Sequence, residues 1–341
     1  TSLGAGNATR FKNRIINGDM RIDQRNAGAS VTPTNGSYTL DRWFFSVSQA
    51  SKLTCQQNAG AVTPPVGFTK YLGVTSSSAY SVGASELFVV RQNIEGFNVA
   101  DLGWGTANAK TVTLSFWVRS SLTGTFGGTF RNSAGNRFYP YSYTISAANT
   151  WEQKSVTIAG DTSGTWATDN TSGIELFFSL GSGSTVSGTA GAWGSTVFYS
   201  ATGATSLVGT SGATWYVTGV QLEVGESATG FEYIDYTTQF ALCQRYFQRK
   251  SAKGQPGPAN QAISAMSLGL PVELRTDPSV VYYDQSGNIS RITTQASGAN
   301  QTMSSPPNAY GVDKSTMQFD FSTGANIGFW WAGTFWFSAE L

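Results

Sequence analysis

The residues that could do chemistry in this chain include no imidazole, because its 341 residues contain no histidine. Without imidazole there is no Ser-His-Asp or Cys-His nucleophile system and no histidine-ligated zinc or haem. The side chain best suited to proton transfer near neutral pH is also missing. Cys55 and Cys243 are far apart, with no CxxC spacing for metal or redox work. They read as small buried apolar residues, with a Cys55–Cys243 disulfide as the alternative. Acids near one another in sequence include Glu223 with Glu226, Asp161 with Asp169, and Asp277 with Asp284. Cleaving a glycosidic bond needs two carboxyls about 5–10 Å apart across the sugar, but the same spacings arise wherever acids cap turns. Asn17, Asp19, Asp23 and Asp41 offer hard oxygen ligands of the kind calcium takes. Against this, Asn17-Gly18-Asp19 is a good turn sequence, and Met20-Arg21 follows where another acid is needed. The turn reading is preferred, and neither metal nor cofactor is expected.

Aromatic platforms are the stronger chemistry. A sugar stacks its CH faces on an indole or phenyl ring while short polar side chains bind its hydroxyls. Trp117 and Phe177 fall opposite the inferred buried faces of their strands, and Trp104, Trp166 and Trp193 lie in turn-rich stretches. At the carboxyl end, alternation sets Trp330 and Trp336 on one side and Phe329, Trp331, Phe335 and Phe337 on the other, unless Gly333 bulges the strand. The glycan-binding candidates are therefore Trp104, Trp117, Trp166, Phe177, Trp193, Trp330 and Trp336. For each of them, covering a sheet edge or meeting a neighbouring subunit is the competing role.

These rings need strands to hold them. Apolar residues alternate at Val112, Leu114, Phe116 and Val118, at Ile174, Leu176, Phe178 and Leu180, and at Tyr216, Val220, Leu222 and Val224. Shorter runs recur at 43–47, 53–55, 87–93 and 155–158. Turn signals sit at Asn35-Gly36, Pro64-Pro65, Gly127-Gly128, Gly135-Asn136 and Gly181-Ser182-Gly183. Many strands without alternating helices predict an all-β chain built on an antiparallel jelly-roll-like sandwich. Residues 182–212, rich in Gly, Ser, Thr and Ala, form a long loop or ragged hairpin that Trp193, Phe198 and Tyr199 pin to the body.

One helix is expected, capped by Asp235 or Thr237, with Phe240, Cys243 and Phe247 on one stripe and Arg245, Arg249 and Lys250 in its carboxyl half. The Gly254–Pro258 stretch reads as a hinge after it. The expected organisation is a junction segment at 1–12, the sandwich at 13–234, a connecting helix and hinge at 235–257, and a small β module at 258–341.

Composition narrows the partners. The net charge is +1 and only 12% of residues are charged, so a nucleic-acid partner is not expected. No run approaches the ~20 apolar residues of a membrane-spanning helix, so membrane insertion is not expected. Aromatic residues at 13% argue against disorder.

Several stretches resemble a known family. They are Asn13–Arg25, Leu40-Asp41-Arg42-Trp43, Thr113–Arg119, Asn149–Glu152, Gly160–Trp166, and Trp215 through Gly219–Gly225 to Leu242–Gln248. In this order they are similar to a β-sandwich module of bacteriophage tail fibres and tail-tip proteins, over about residues 10–250. Leu270–Pro278, Val280–Tyr283 and the terminal Ser338–Leu341 resemble a second module that follows it. The resemblance implies a virion protein that attaches to host surface polysaccharide without enzymatic activity. It also implies a parallel homotrimer in contact with other tail proteins. Phe240, Cys243, Phe247, Phe329, Trp331, Phe335 and Phe337 are the candidates for the trimer interface. The alternatives are a purely structural tail or baseplate component, a polysaccharide-degrading tail enzyme, or a carbohydrate module of a secreted cellular enzyme.

Overall fold

The computed structural model describes residues 12–254, 263–287, 289–294, 300–302, 308–310, 314–322 and 331–341. The chain divides into two compact units, Thr1–Asp235 and Tyr236–Glu340.

The first unit is the predicted antiparallel sandwich. In chain order its strands are β1 (Ser37–Tyr38), β2 (Phe44–Val47), β3 (Leu53–Gln57), β4 (Leu72–Ser76), β5 (Leu87–Glu95), β6 (Val112–Ser120) and β7 (Gly124–Asn132). There follow β8 (Phe138–Ile145), β9 (Glu152–Ile158), β10 (Ser172–Ser182), the short β11 (Ser187–Gly188) and β12 (Ser200–Ala201), and β13 (Thr214–Val224). One sheet runs β1-β2-β5-β10-β7-β8 and the other β3-β4-β13-β6-β9. Long-range neighbours such as β5 beside β10 and β6 beside β13 are what jelly-roll winding requires.

Alternation explains why the sheets face each other. Phe45, Val90 and Phe178 are register partners on one face and reach the core, as do Leu114 and Leu222 on the opposing sheet. Phe178 is central: its ring lies 5.1 Å from Phe116 and 5.5 Å from Trp215, both on the other sheet. The Trp215 indole N–H donates to the Tyr143 hydroxyl across the core at 3.0 Å.

Three sequence expectations change here. Gly127-Gly128 is not a turn but mid-strand in β7, and the predicted Gly181 turn is a bulge within β10. Tyr216 does not share a face with Val220 and Leu222. The β13–β6 register shifts between Thr218 and Gln221 around Gly219, which has φ +61°. Trp215 and Val217 therefore face the core before the bulge, Val220 and Leu222 face it after, and Tyr216 packs outside with Ala59 and Tyr71. Gln221 and Glu223 are buried too, covered by the 229–232 segment: Glu232 N–H donates to Gln221, and Thr229 donates to Glu223.

In the second unit the helix α1 is short, Tyr236–Gln244. Arg249 and Lys250 lie instead in β14 (Phe247–Gly254). Its inward positions are Gln248, Lys250 and Ala252, so burial alternates although hydrophobicity does not. Eight register pairs with the final strand hold it. The remaining strands are β15 (Ile263–Gly269), β16 (Ser279–Tyr283), β17 (Arg291–Thr294), β18 (Asn300–Thr302), β19 (Asn308–Tyr310), β20 (Thr316–Ser322) and β21 (Trp331–Ser338). The expected hairpin after Tyr283 is present, with Gly287 N–H donating to the Asp284 carbonyl. Residues 255–258 of the predicted hinge lie outside the described residues.

Pairing of β21 with β14 is unbroken through Gly333, so no bulge disturbs the expected alternation. Phe335 and Phe337 are fully buried among Leu274, Tyr282 and Ala339 in this unit's own core, and Cys243 and Phe247 are buried as well. These four therefore have no surface to offer a second subunit, which corrects their assignment to a trimer interface. Phe240, stacked at 6.1 Å on Tyr236, stays half-buried. Phe329 lies outside the described residues, and Trp331 is placed in β21 by its backbone alone.

Candidate functional site

The outer face of the six-stranded sheet carries the most organised chemistry. Register places Phe44, Arg91, Phe177 and Thr129 in one row across β2, β5, β10 and β7. The adjoining row brings Asn93, Glu175 and Arg131 together. Glu175 Oε2 accepts from Arg91 Nη1 at 3.1 Å and from Arg131 Nε at 2.6 Å. Both guanidiniums also lie on aromatic rings. Arg91 is 4.2 Å from the Phe44 centroid and 5.4 Å from Phe177, and Arg131 is 5.2 Å from Phe177. Burial lowers the Arg91 pKa, Glu175 opposing that shift and Arg131 adding to it.

A groove of about 270 Å³ opens here between Asn35, Ser46, Ser48, Leu87, Arg91, Arg131 and Tyr199, with Phe177 at its base. Its far wall is built by an excursion over 183–206, inside the 182–212 stretch that the sequence predicts to be a long loop or ragged hairpin. Short β11 and β12 pair within it. Tyr199 sits 5.5 Å from Phe177, and its hydroxyl accepts from Arg131 Nη1 at 3.3 Å. The excursion lies directly on β7 because Gly127 lacks a Cβ: one built there would meet Ser200 Oγ at 2.5 Å and Ala201 N at 2.7 Å.

Phe177 is thus on the outward face as expected, but only 1% exposed under Arg91, Arg131 and Tyr199. It is a floor rather than an open platform, and Tyr199 is the half-exposed ring of the groove.

The structure brings together Trp104, Trp166 and Trp193, which are separated along the chain by 62 and then 27 positions: their ring centroids lie 4.8 to 5.3 Å apart, edge-to-face. Each indole N–H donates to a backbone carbonyl, of Lys110, Ser163 and Ala159 respectively. Trp104 is buried, which removes it as a platform; Trp166 and Trp193 are half-buried against the core. Trp117 lies half-buried on the outer face of the five-stranded sheet, beside the Gly219 bulge. Trp336 is half-buried between Phe247 and Tyr283 in the second unit, and Trp330 lies outside the described residues.

The acids considered for hydrolysis are engaged separately. Asp161 takes both Arg137 Nε and Nη2, at 2.6 and 2.7 Å, Asp169 accepts from Thr171, and Asp284 accepts from Ser286 N–H. Glu223 is buried under Thr229, while Glu226 and Asp277 are exposed. The amino-terminal oxygen cluster acts as turn chemistry. Asn17 bonds the backbone of Ile22 and Asp41, Asp23 caps Asn26 and Gly28, and Asp41 takes Gln24. Asp19 pairs with Arg21, yet burial raises its pKa. Among the described residues no group of three metal-ligating side chains converges, and both cysteines are free and buried.

No family model matches the chain, and no curated protein matches it. Solved structures give partial likenesses to the sandwich. The enzymatically active domain of bacteriophage CBA120 tailspike protein 4 is 12% identical with a TM-score of 0.31, over 54% of this chain. The match spans only 19% of that tailspike chain. The family 11 carbohydrate-binding module from Clostridium thermocellum, in complex with a β-1,3-1,4-mixed-linked tetrasaccharide, is 10% identical with a TM-score of 0.31, covering 58% of this chain and 97% of that one. TmCBM61 in complex with β-1,4-galactotriose is 10% identical with a TM-score of 0.29, covering 54% and 88%. The sandwich assignment rests on strand order and register rather than on these likenesses.

Sequence reasoning missed Arg91, Arg131, Glu175 and Tyr199. A usable signal was present: in a chain with 12% charged residues, Arg91 and Glu175 occupy outward positions in the middle of otherwise apolar strands. What alternation lacks is the pairing that puts three strands side by side.

Proposed function

We propose that this chain is a segment of a phage tail fibre or tail tip whose sandwich holds host surface glycan without cleaving it. The observation that carries this reading is the groove over Phe177, where an aromatic floor and the Tyr199 ring meet Ser46, Ser48, Asn35 and two arginines. The half-exposed Tyr199 ring, held on the buried Phe177, can meet the CH face of a sugar, and the convergent polar groups beside it can bind hydroxyls, as saccharide recognition needs. The family resemblance of the Asn13–Arg25 and Trp215–Gln248 segments supplies the virion setting. Passive binding is supported by the state of Glu175, the one acid among the described residues in the groove rows, which is tied to two arginines; glycosidases need a second carboxyl at a defined distance.

Assembly as a homotrimer belongs to the same proposal. It is supported by surfaces that each unit leaves open: Phe68, Phe231 and the exposed Tyr233 in the first, Tyr236 and Phe240 in the second. Three copies would turn weak single-site contacts into firm attachment. Measuring adsorption to susceptible cells, together with molar mass by light scattering, tests the whole reading. A trimer that binds cells and releases no reducing sugar is expected. A monomer that adsorbs to no cell would refute it and favour a structural tail component, whereas release of reducing sugar would favour an enzyme.

A further inference from the structure

We infer that the groove over Phe177 selects a sugar bearing a negative charge, a carboxylate or a phosphate substituent, over a neutral one. The inference rests on the glycan-binding reading of the same groove. Two guanidiniums face one carboxylate there, so the cluster of Arg91, Arg131 and Glu175 carries one uncompensated positive charge. A guanidinium has five N–H donors, of which Glu175 and Tyr199 take one from Arg91 and two from Arg131. Arg91 Nε is buried with no partner among the described residues. Both side chains line the groove and remain 16% and 18% exposed, so a ligand can reach them while solvent screens them only in part.

The stacking on Phe44, Phe177 and Tyr199 fixes the guanidinium planes. Fixed guanidiniums with spare donors match a carboxylate or phosphate through paired N–H···O bonds. A neutral hydroxyl takes one such donor and leaves the charge unanswered. Because Glu175 occupies part of each guanidinium, a ligand anion would complete the cluster to charge balance without displacing it.

The test uses the whole chain on an array of bacterial surface polysaccharides, each printed native, after chemical reduction of its carboxyl groups, and after dephosphorylation. The expected result is native binding that falls at least about tenfold, roughly 1.4 kcal/mol, after one of the two treatments. Which treatment weakens it identifies the carboxylate or the phosphate as the anion. Binding that survives both treatments overturns this inference while glycan recognition stands; no binding to any polysaccharide removes glycan recognition and the inference with it. Arg131→Gln serves as the matched variant, because Arg91 still pairs with Glu175 and no acid is orphaned. With its circular dichroism unchanged, it should lose the preference for the anionic form, and retention of that preference would also overturn the inference.

Discussion

Replacing Gly127 by alanine distinguishes strand propensity from the packing that builds the groove wall. In an ordinary strand, glycine to alanine stabilises by about 0.5–1 kcal/mol, because glycine loses more backbone freedom on folding. Nothing about the backbone at Gly127 opposes a side chain, since its φ is not positive. The obstacle is packing: a Cβ would approach the Ala201 backbone nitrogen to 2.7 Å and Ser200 Oγ to 2.5 Å. The serine can rotate, but the β12 backbone cannot move without straining its pairing with β11. Overpacking of this kind costs about 1–3 kcal/mol, so Gly127→Ala should destabilise the sandwich, opposite in sign to the propensity effect. Urea unfolding measures the global change, and limited proteolysis within 183–206 reports on the excursion directly. The expected result is a lower midpoint with faster cleavage in that segment, accompanied by weaker glycan binding as Tyr199 shifts from Phe177. A variant as stable as the parent, with unchanged proteolysis, would refute the claim that the excursion packs on β7.

Trp215→Phe removes the indole donor to Tyr143 inside the core and should cost about 1–3 kcal/mol in denaturant titration; a neutral result would mean that this cross-sheet bond does not hold the layers. Trp104→Phe should reduce the near-ultraviolet circular dichroism of the three packed indoles more than Trp117→Phe, since Trp117 is outside that cluster. Alkaline pH should destabilise the first unit. Burial raises the Cys55 thiol from 9.0 to about 12, and it raises the Tyr141 and Tyr143 phenols as well. The unfolded chain therefore loses protons at a pH where the folded chain keeps them, and stability is full below about pH 9 and falls as pH rises towards 12. Urea midpoints measured from pH 7 to 11 check this, and a flat profile above pH 9 would contradict it. The same burial makes both thiols silent to a thiol reagent at pH 8 in the folded state and reactive after unfolding.

Alternation by itself located most sandwich strands, from the Val112–Val118 run to Ile174–Leu180, because burying one face of a pleated strand dictates a period of two. It was misleading where inward positions are not apolar. β14 presents Gln248, Lys250 and Ala252 inward, so it read as the carboxyl half of a helix. Glycine misled as well, since the pair in β7 marks a close approach of another segment rather than a turn. At Gly219, one extra residue reverses which side chains face the core, and only the pairing with β6 reveals it.

The aromatic content and the absence of histidine are properties of composition, and they singled out ring stacking and ruled out imidazole chemistry before any fold was known. The site required the fold. Arg91, Arg131, Glu175 and Tyr199 span 109 positions of sequence, and no local period links them. Strand order sets β2, β5, β10 and β7 side by side, and the excursion returns Tyr199 over Phe177. Local pattern is governed by neighbours a few residues apart, whereas a binding groove depends on contacts whose position is fixed only when distant strands pair.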